Sequence, residues 1–143
     1  MELDVLRQVT EELIPFNKFL GMRVIHVERG LVEIQVPWRD ELVGDPMKPA
    51  MHGGVISALA DTAGGMAIWS ALENPLLRVS TIDLRVDYLR PGRLENILAE
   101  AKTVRVGRSV GVADIRLFHA SARGDTVATG KGVYAIKLPR VKG

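Results

Sequence analysis

The sequence predicts one α+β domain over residues 1–143, built as a curved antiparallel sheet wrapped around a central α-helix. Three observations lead there. Val55 to Leu72 is almost entirely apolar or small, and a helix that is hydrophobic all round belongs inside a protein or a membrane. A hairpin before this run and alternating apolar and polar segments after it supply about five antiparallel strands. The chain has no internal repeat, low-complexity segment or linker, and its length suits a single domain with a substantial core. Strands with one apolar face and a helix with no polar face can both be satisfied if the sheet curls around the helix.

Taken in order, residues 2–13 place Leu3, Leu6, Val9 and Leu13 at helical spacing among Glu2, Asp4, Glu11 and Glu12. This reads as an amphipathic surface helix ended by Pro15. Phe16 to Met22 reads as a short connector with buried aromatics. Val24 to His26 and Leu31 to Trp38 form a hairpin turning at Arg29-Gly30, with Val32, Ile34 and Val36 alternating against Glu33 and Gln35. Arg39 to Met51 is a loop carrying Gly44, Pro46 and Pro49, of a length that is often functional. The central helix follows, and Glu73-Asn74-Pro75 breaks its pattern. Ile82, Leu84, Val86 and Tyr88 then alternate with Asp83, Arg85 and Asp87, turning at Pro91-Gly92. Ile97 to Val106, Ser109 to Ala120 and Thr126 to Leu138 complete the sheet, with turns at Gly107-Arg108 and Ala122-Arg123-Gly124.

Composition narrows the function. Net charge is +2, with basic residues interleaved among acidic ones, a poor footprint for nucleic acid. The absence of cysteine excludes disulfides and thiolate metal sites. His26, His52 and His119 are scattered without metal-ligand spacing, so no metal is expected. The acidic start Met1-Glu2-Leu3-Asp4 is unlike a signal peptide, and the expectation is a soluble, cytoplasmic protein. The apolar run is just long enough to span a bilayer, but Asp61 at its centre argues against that.

The chemistry centres on His52-Gly53-Gly54 and Asp61. Gly53 and Gly54 allow close backbone approach at a helix start. There the first N–H groups lack intrahelical partners and the macrodipole is positive, which suits a carbonyl oxygen becoming an oxyanion. Asp61 is the only charge between His52 and Glu73, and a buried carboxylate needs specific partners. Gly53 and Asp61 are eight positions apart, about 12 Å along a helix. That is too far to share one reacting carbon, so a site using both takes them from different copies of the chain.

Leu20-Gly21-Met22, Met51-His52-Gly53-Gly54, Asp61 and Tyr88-Leu89-Arg90-Pro91 together resemble the hotdog-fold acyl-CoA thioesterases, of the phenylacetic-acid-degradation and 4-hydroxybenzoyl-CoA thioesterase type. The resemblance covers nearly the whole domain. It implies a cytoplasmic homodimer or dimer of dimers (a homotetramer) hydrolysing acyl-CoA, with no cofactor beyond the CoA of the substrate. It implies that the Gly53 N–H polarises the thioester carbonyl and that Asp61 of the partner acts as general base or nucleophile. His52 would orient the loop and the thioester, and Thr81 or Ser80 would position water. The alternation of the strand puts Thr81 on the face opposite Ile82, so Thr81 needs a bulge to serve. Gly54, Tyr88, Arg90, Arg105, Gly107, Arg108 and Ser109 would contact CoA, since guanidinium suits phosphate. Met66 and Trp69 could line the acyl pocket. Relatives often carry an Asn where this chain has Pro46, so the resemblance leaves open what replaces that Asn. A hydroxyacyl-thioester dehydratase fits the Met51-His52-Gly53-Gly54 entry less well. A non-catalytic acyl-CoA-binding module has no use for an isolated Asp61.

Overall fold

The apolar run forms helix α3, Gly53–Ser70, of 18 residues, about 27 Å at 1.5 Å per residue. The computed structural model describes residues 2–140; residues 1 and 141–143 of the expected domain lie outside them. Around α3 the described residues form strands β1 (Arg23–Glu28), β2 (Leu31–Val36), β5 (Arg78–Tyr88), β6 (Ile97–Val106), β7 (Val110–His119) and β8 (Ala128–Lys137). These make one sheet in the order β1-β2-β6-β7-β8-β5, antiparallel at every junction. The main sheet therefore has six strands, one for each segment marked along the sequence, against the overall count of about five.

The period-two alternation does the packing. Val32, Ile34, Val36, Ala99, Ala101, Ile115 and Leu117 share the face against α3, where Val55, Ile56, Leu59, Ala60, Ala63 and Ala67 meet them in one buried cluster. Alanines on both the helix and the strands let the backbones approach closely, and each is fully buried. Only one side of α3 is covered this way. Ser57, Ala58, Asp61, Thr62, Gly65, Met66 and Trp69 are half-buried, so the expected burial on all sides is corrected: a single chain leaves one long face of the helix partly open.

The N-terminal region also departs from the pattern. The expected helix over 2–13 is α1, Leu3–Gln8, followed by a π-helical turn at Val9–Leu13. Pro15 does not merely end it; it opens α2, Pro15–Leu20, because proline suits the first helical position. Phe16 and Phe19, expected to be buried, are 56% and 64% exposed, stacked on each other at 6.5 Å between ring centroids. Asn17 and Leu20 face inward instead.

The two sheet edges are treated differently. At β1, the Arg7 guanidinium donates to the Val24 carbonyl and a Glu11 carboxylate oxygen accepts the Val24 N–H at 3.1 Å. At the other edge β5 runs for 11 residues with no such cover among the described residues. Glu33, expected to alternate outward, is 8% exposed because Arg123 closes over it at 2.8 Å while stacking on Phe118.

The loop over 39–51 is ordered by its own bonds. Asp40–Leu42 forms a 3₁₀ turn, and β3 (Val43–Asp45) pairs with β4 (Ala50–Met51). The Asp45 carboxylate accepts the N–H groups of Met47 and Lys48 around Pro46. The loop presses on the entry to α3: a Cβ on Gly44 would lie 2.6 Å from the His52 Cα, so only glycine fits. The His52 N–H donates to Leu42 O at 2.8 Å, seating that residue before the helix begins.

Candidate active site

His52 is the N-cap of α3, with extended backbone (φ −60°, ψ 129°) and Nδ1 accepting the Gly54 N–H at 2.8 Å. Its carbonyl accepts the Val55 N–H at 3.0 Å. That engages two of the N–H groups that a helix start leaves unpaired. The Gly53 N–H finds no acceptor among the described residues, and it stands at the positive end of an 18-residue helix. Beside it opens a depression of about 360 Å³ lined by Met51, Gly53, Ile56, Tyr88, Arg90 and Gly92 among others. The Tyr88 hydroxyl donates to the Gly53 carbonyl at 2.9 Å and also meets the Ser57 hydroxyl. An unpaired helix-start donor beside a lined depression has the geometry to receive an oxygen that gains charge.

The second half of the site lies two turns further along α3. The Thr81 hydroxyl donates to Asp61 Oδ1 at 2.7 Å. Thr81 reaches it because the β5–β8 register shifts between Thr81 and Asp83. This bulge makes Ile82 the extra residue, 58% exposed, and turns Thr81 toward the helix. Of the two residues considered for this position, Thr81 touches Asp61. Asp61 itself is half-buried, not the enclosed carboxylate expected from its apolar neighbours.

Tyr134 holds the same residue from below, its hydroxyl donating to the Asp61 carbonyl at 3.0 Å. Burial, then the adjacent Asp61 charge, pushes the Tyr134 hydroxyl above its ordinary pKa, so it stays a donor. Two glycines make room for the ring: a Cβ on Gly64 would lie 2.1 Å from the Tyr134 hydroxyl, and one on Gly132 would lie 2.4 Å from it. Asp61, Thr81 and Tyr134 line a cleft of about 540 Å³, with Met66, Trp69 and Val79 on its apolar wall. Met66 and Trp69 thus share this cleft with Asp61.

A single chain keeps the two halves apart. The helix and β5 run alongside each other, with Gly53 beside Tyr88 at one end and Asp61 beside Thr81 at the other. The arginines divide the same way. Arg90 lines the Gly53 depression. The turn with Arg105, Gly107, Arg108 and Ser109 sits at the far end of the sheet, where Ser109 O accepts the Ile136 N–H at 2.8 Å and β8 pairs with β5 near Val79 and Ser80. One chain therefore does not gather Arg90, Arg105 and Arg108 around a common ligand.

Sequence reasoning missed Tyr134, Ser57 and Asn17. Asn17 is 3% exposed and lines the Asp61 cleft. The available signal for Tyr134 was glycine placement, at Gly64-Gly65 on the helix and Gly130 and Gly132 on β8, where flat backbone leaves space for an aromatic from the neighbouring element. Among the described residues no helix is long and apolar enough to cross a membrane.

Comparison with known proteins identifies the family of the chain. A family model described as the thioesterase superfamily matches residues 49–124, which include His52, Gly53, Asp61 and Thr81. A Halobacterium salinarum protein named as an esterase is 40% identical over 124 residues, 82% of each chain. The medium/long-chain acyl-CoA thioesterase YigI of Escherichia coli is 36% identical over 115 residues, 72% of this chain and 74% of that one. A crystal structure from Shewanella oneidensis, related to the thioesterase superfamily, superposes with a TM-score of 0.84 at 28% identity and covers 94% of both chains. With its helix cradled by an antiparallel sheet, this chain belongs to the thioesterase superfamily and is a thioester hydrolase of the hotdog fold.

Proposed function

We propose that this protein hydrolyses acyl-CoA thioesters at sites shared between two copies of the chain. The observation that carries the reading is the split site itself: donor and carboxylate stand at opposite ends of β5, the sheet edge left without cover. A two-fold axis near Leu84 and Arg85, midway between Thr81 and Tyr88, would pair β5 antiparallel with its copy. That pairing lays Thr81 and Asp61 of one chain beside Tyr88 and Gly53 of the other, twice over. It also satisfies the open N–H and C=O groups of an edge strand.

In such a site the Gly53 N–H polarises the thioester carbonyl, and the oxyanion grows toward the helix terminus. His52 orients the thioester. Asp61, steadied by the Thr81 hydroxyl and by Tyr134, either deprotonates the attacking water or attacks the carbonyl carbon itself. In both cases the thioester C–S bond breaks and CoA leaves as its thiolate. Water attack gives the free acid directly, whereas attack by Asp61 leaves an acyl–Asp61 anhydride that water then hydrolyses to the acid and the restored carboxylate. The apolar wall of the Asp61 cleft supports an apolar acyl group, and a relative named for medium and long chains points the same way.

The decisive test is a panel of acyl-CoA substrates followed by product analysis. Release of free CoA and carboxylic acid is expected, whereas an enoyl product or binding without turnover would overturn the reading. The shared site has its own test, using Gly53→Pro and Asp61→Asn chains. Each is expected to be nearly inactive alone. Unfolded and refolded together at equal ratio, they should recover about a quarter of normal activity, because half the dimers then hold one intact site of two. No recovery would place both halves in one chain.

The CoA contacts carry a further expected result. Replacing Arg90, Arg105 or Arg108 by Gln should raise KM for acyl-CoA by about 10- to 100-fold, the range for a lost charge-assisted bond. KM for a short thioester without the nucleotide should hardly move. Equal changes with both substrates would show these arginines to be surface charge only.

A further inference from the structure

We propose that Ser57 and Tyr88 are positioning residues, which set the hydrogen-bonding state of His52 through the backbone of Gly53 and Gly54. The inference deepens the function proposed above and rests on it for its catalytic meaning. Its structural half stands alone.

The groups form an unbroken chain. The Ser57 hydroxyl meets the Tyr88 hydroxyl. The Tyr88 hydroxyl donates to the Gly53 carbonyl at 2.9 Å. That carbonyl belongs to the same peptide group as the Gly54 N–H, which donates to His52 Nδ1 at 2.8 Å. Directions follow from the chemistry of each group. Tyrosine has one hydroxyl proton, and giving it to Gly53 O leaves its oxygen to accept from Ser57. A backbone N–H can only donate, so Nδ1 is an acceptor and the imidazole proton sits on Nε2. Each bond polarises the next: the Tyr88 bond to Gly53 O makes the Gly54 N–H a better donor, and that strengthens its hold on Nδ1.

The geometry confines the ring as well. A Cβ on Gly54 would lie 2.8 Å from Nδ1 and 2.9 Å from Cε1 of His52, so the imidazole lies flat against the helix start. His52 is exposed, and its Nε2 meets no partner among the described residues. The consequence is an imidazole that presents an Nε2–H donor beside the free Gly53 N–H. Tyr88, 50% exposed, would otherwise read as one more surface contact for the substrate.

The test pairs a spectroscopic readout with kinetics. Long-range ¹⁵N–¹H spectra of the full chain at neutral pH should show His52 as the single Nε2–H tautomer. In Tyr88→Phe, which keeps the ring and removes only the hydroxyl, a mixed tautomer signal is expected. Acyl-CoA kcat should fall by about 3- to 10-fold, the size of one hydrogen bond, with KM nearly constant. Ser57→Ala should show the same change more weakly, and it serves should Tyr88→Phe fold poorly. An unchanged His52 spectrum in both variants would overturn the relay, as would a raised KM with the tautomer intact, which would make Tyr88 a substrate contact. A shifted tautomer in a protein that hydrolyses no thioester would uphold the relay and count against the proposed function alone.

Discussion

Asp61→Asn is expected to fold normally and lose nearly all turnover. The amide has almost the shape of the carboxylate, and the Thr81 hydroxyl can still donate to its oxygen across the 2.7 Å contact. The Tyr134 bond goes to the Asp61 backbone carbonyl and does not depend on the side chain. Asp61 is half-buried, so stability should change by only about 0.5 kcal/mol, as for surface substitutions. What disappears is the basicity needed to activate water or attack the carbonyl. Losing a positioned base costs about 10²–10⁴-fold, and losing a nucleophile more. The loss should fall in kcat with little change in KM, since the group acts mainly in the transition state. A structural role for Asp61 predicts the opposite pattern, a lowered melting temperature with near-normal kcat per folded molecule. Melting temperature and kcat measured on one preparation decide between them.

Gly53→Pro is the second large effect, and it addresses a backbone group that side-chain substitutions leave in place. Gly53 is the first residue of α3, the position where proline is best accommodated. The preceding residue, His52, already has the extended backbone that a following proline requires, at ψ 129°. The substitution removes the Gly53 N–H, which no described residue uses, so helix and fold should persist. The new ring meets Tyr88, since a Cβ there would lie 3.3 Å from Cε1, and the half-exposed tyrosine has room to give. Deleting one oxyanion donor typically costs about 10²–10³-fold in kcat. Circular dichroism and melting temperature near those of the parent, with kcat reduced by that factor, are the expected result. A folded Gly53→Pro protein with full activity would remove the helix terminus from the mechanism.

Much of this was legible in the chain, and the reason differs by element. A helix without a polar face must be covered, so Val55 to Leu72 implied a wrapping sheet, although the sheet of one chain covers only one side of it. The alternation in Leu31 to Val36 named the core residues Val32, Ile34 and Val36, because a strand's side chains change faces at every step. The isolation of Asp61 and the paired glycines after His52 marked both halves of the candidate site. Their eight-residue spacing already separated them along the helix, which is the ground for the proposed two-chain site.

Other features depend on partners distant in sequence. Whether Thr81 or Ser80 meets Asp61 was decided by a bulge, and a bulge arises from how β5 registers against β8, some fifty residues later. Phe16 and Phe19 looked like core by composition, yet the turn at Val9–Leu13 and the helix opened by Pro15 point Asn17 and Leu20 inward instead. Tyr134 reaches Asp61 across 73 positions, a contact invisible to any local pattern. The separation of Arg90 from Arg105 and Arg108 follows from strand direction and register, which put the end of β5 and the β6–β7 turn at opposite ends of the sheet. The sequence by itself determined the helix and most of the strand faces, and it singled out the candidate groups at His52-Gly53-Gly54 and Asp61, because these rest on local periodicity and on a lone charge in an apolar run. The tertiary structure decided which groups touch, which edge stays open and how the site is divided, because those depend on register and strand order, set by pairings between distant segments.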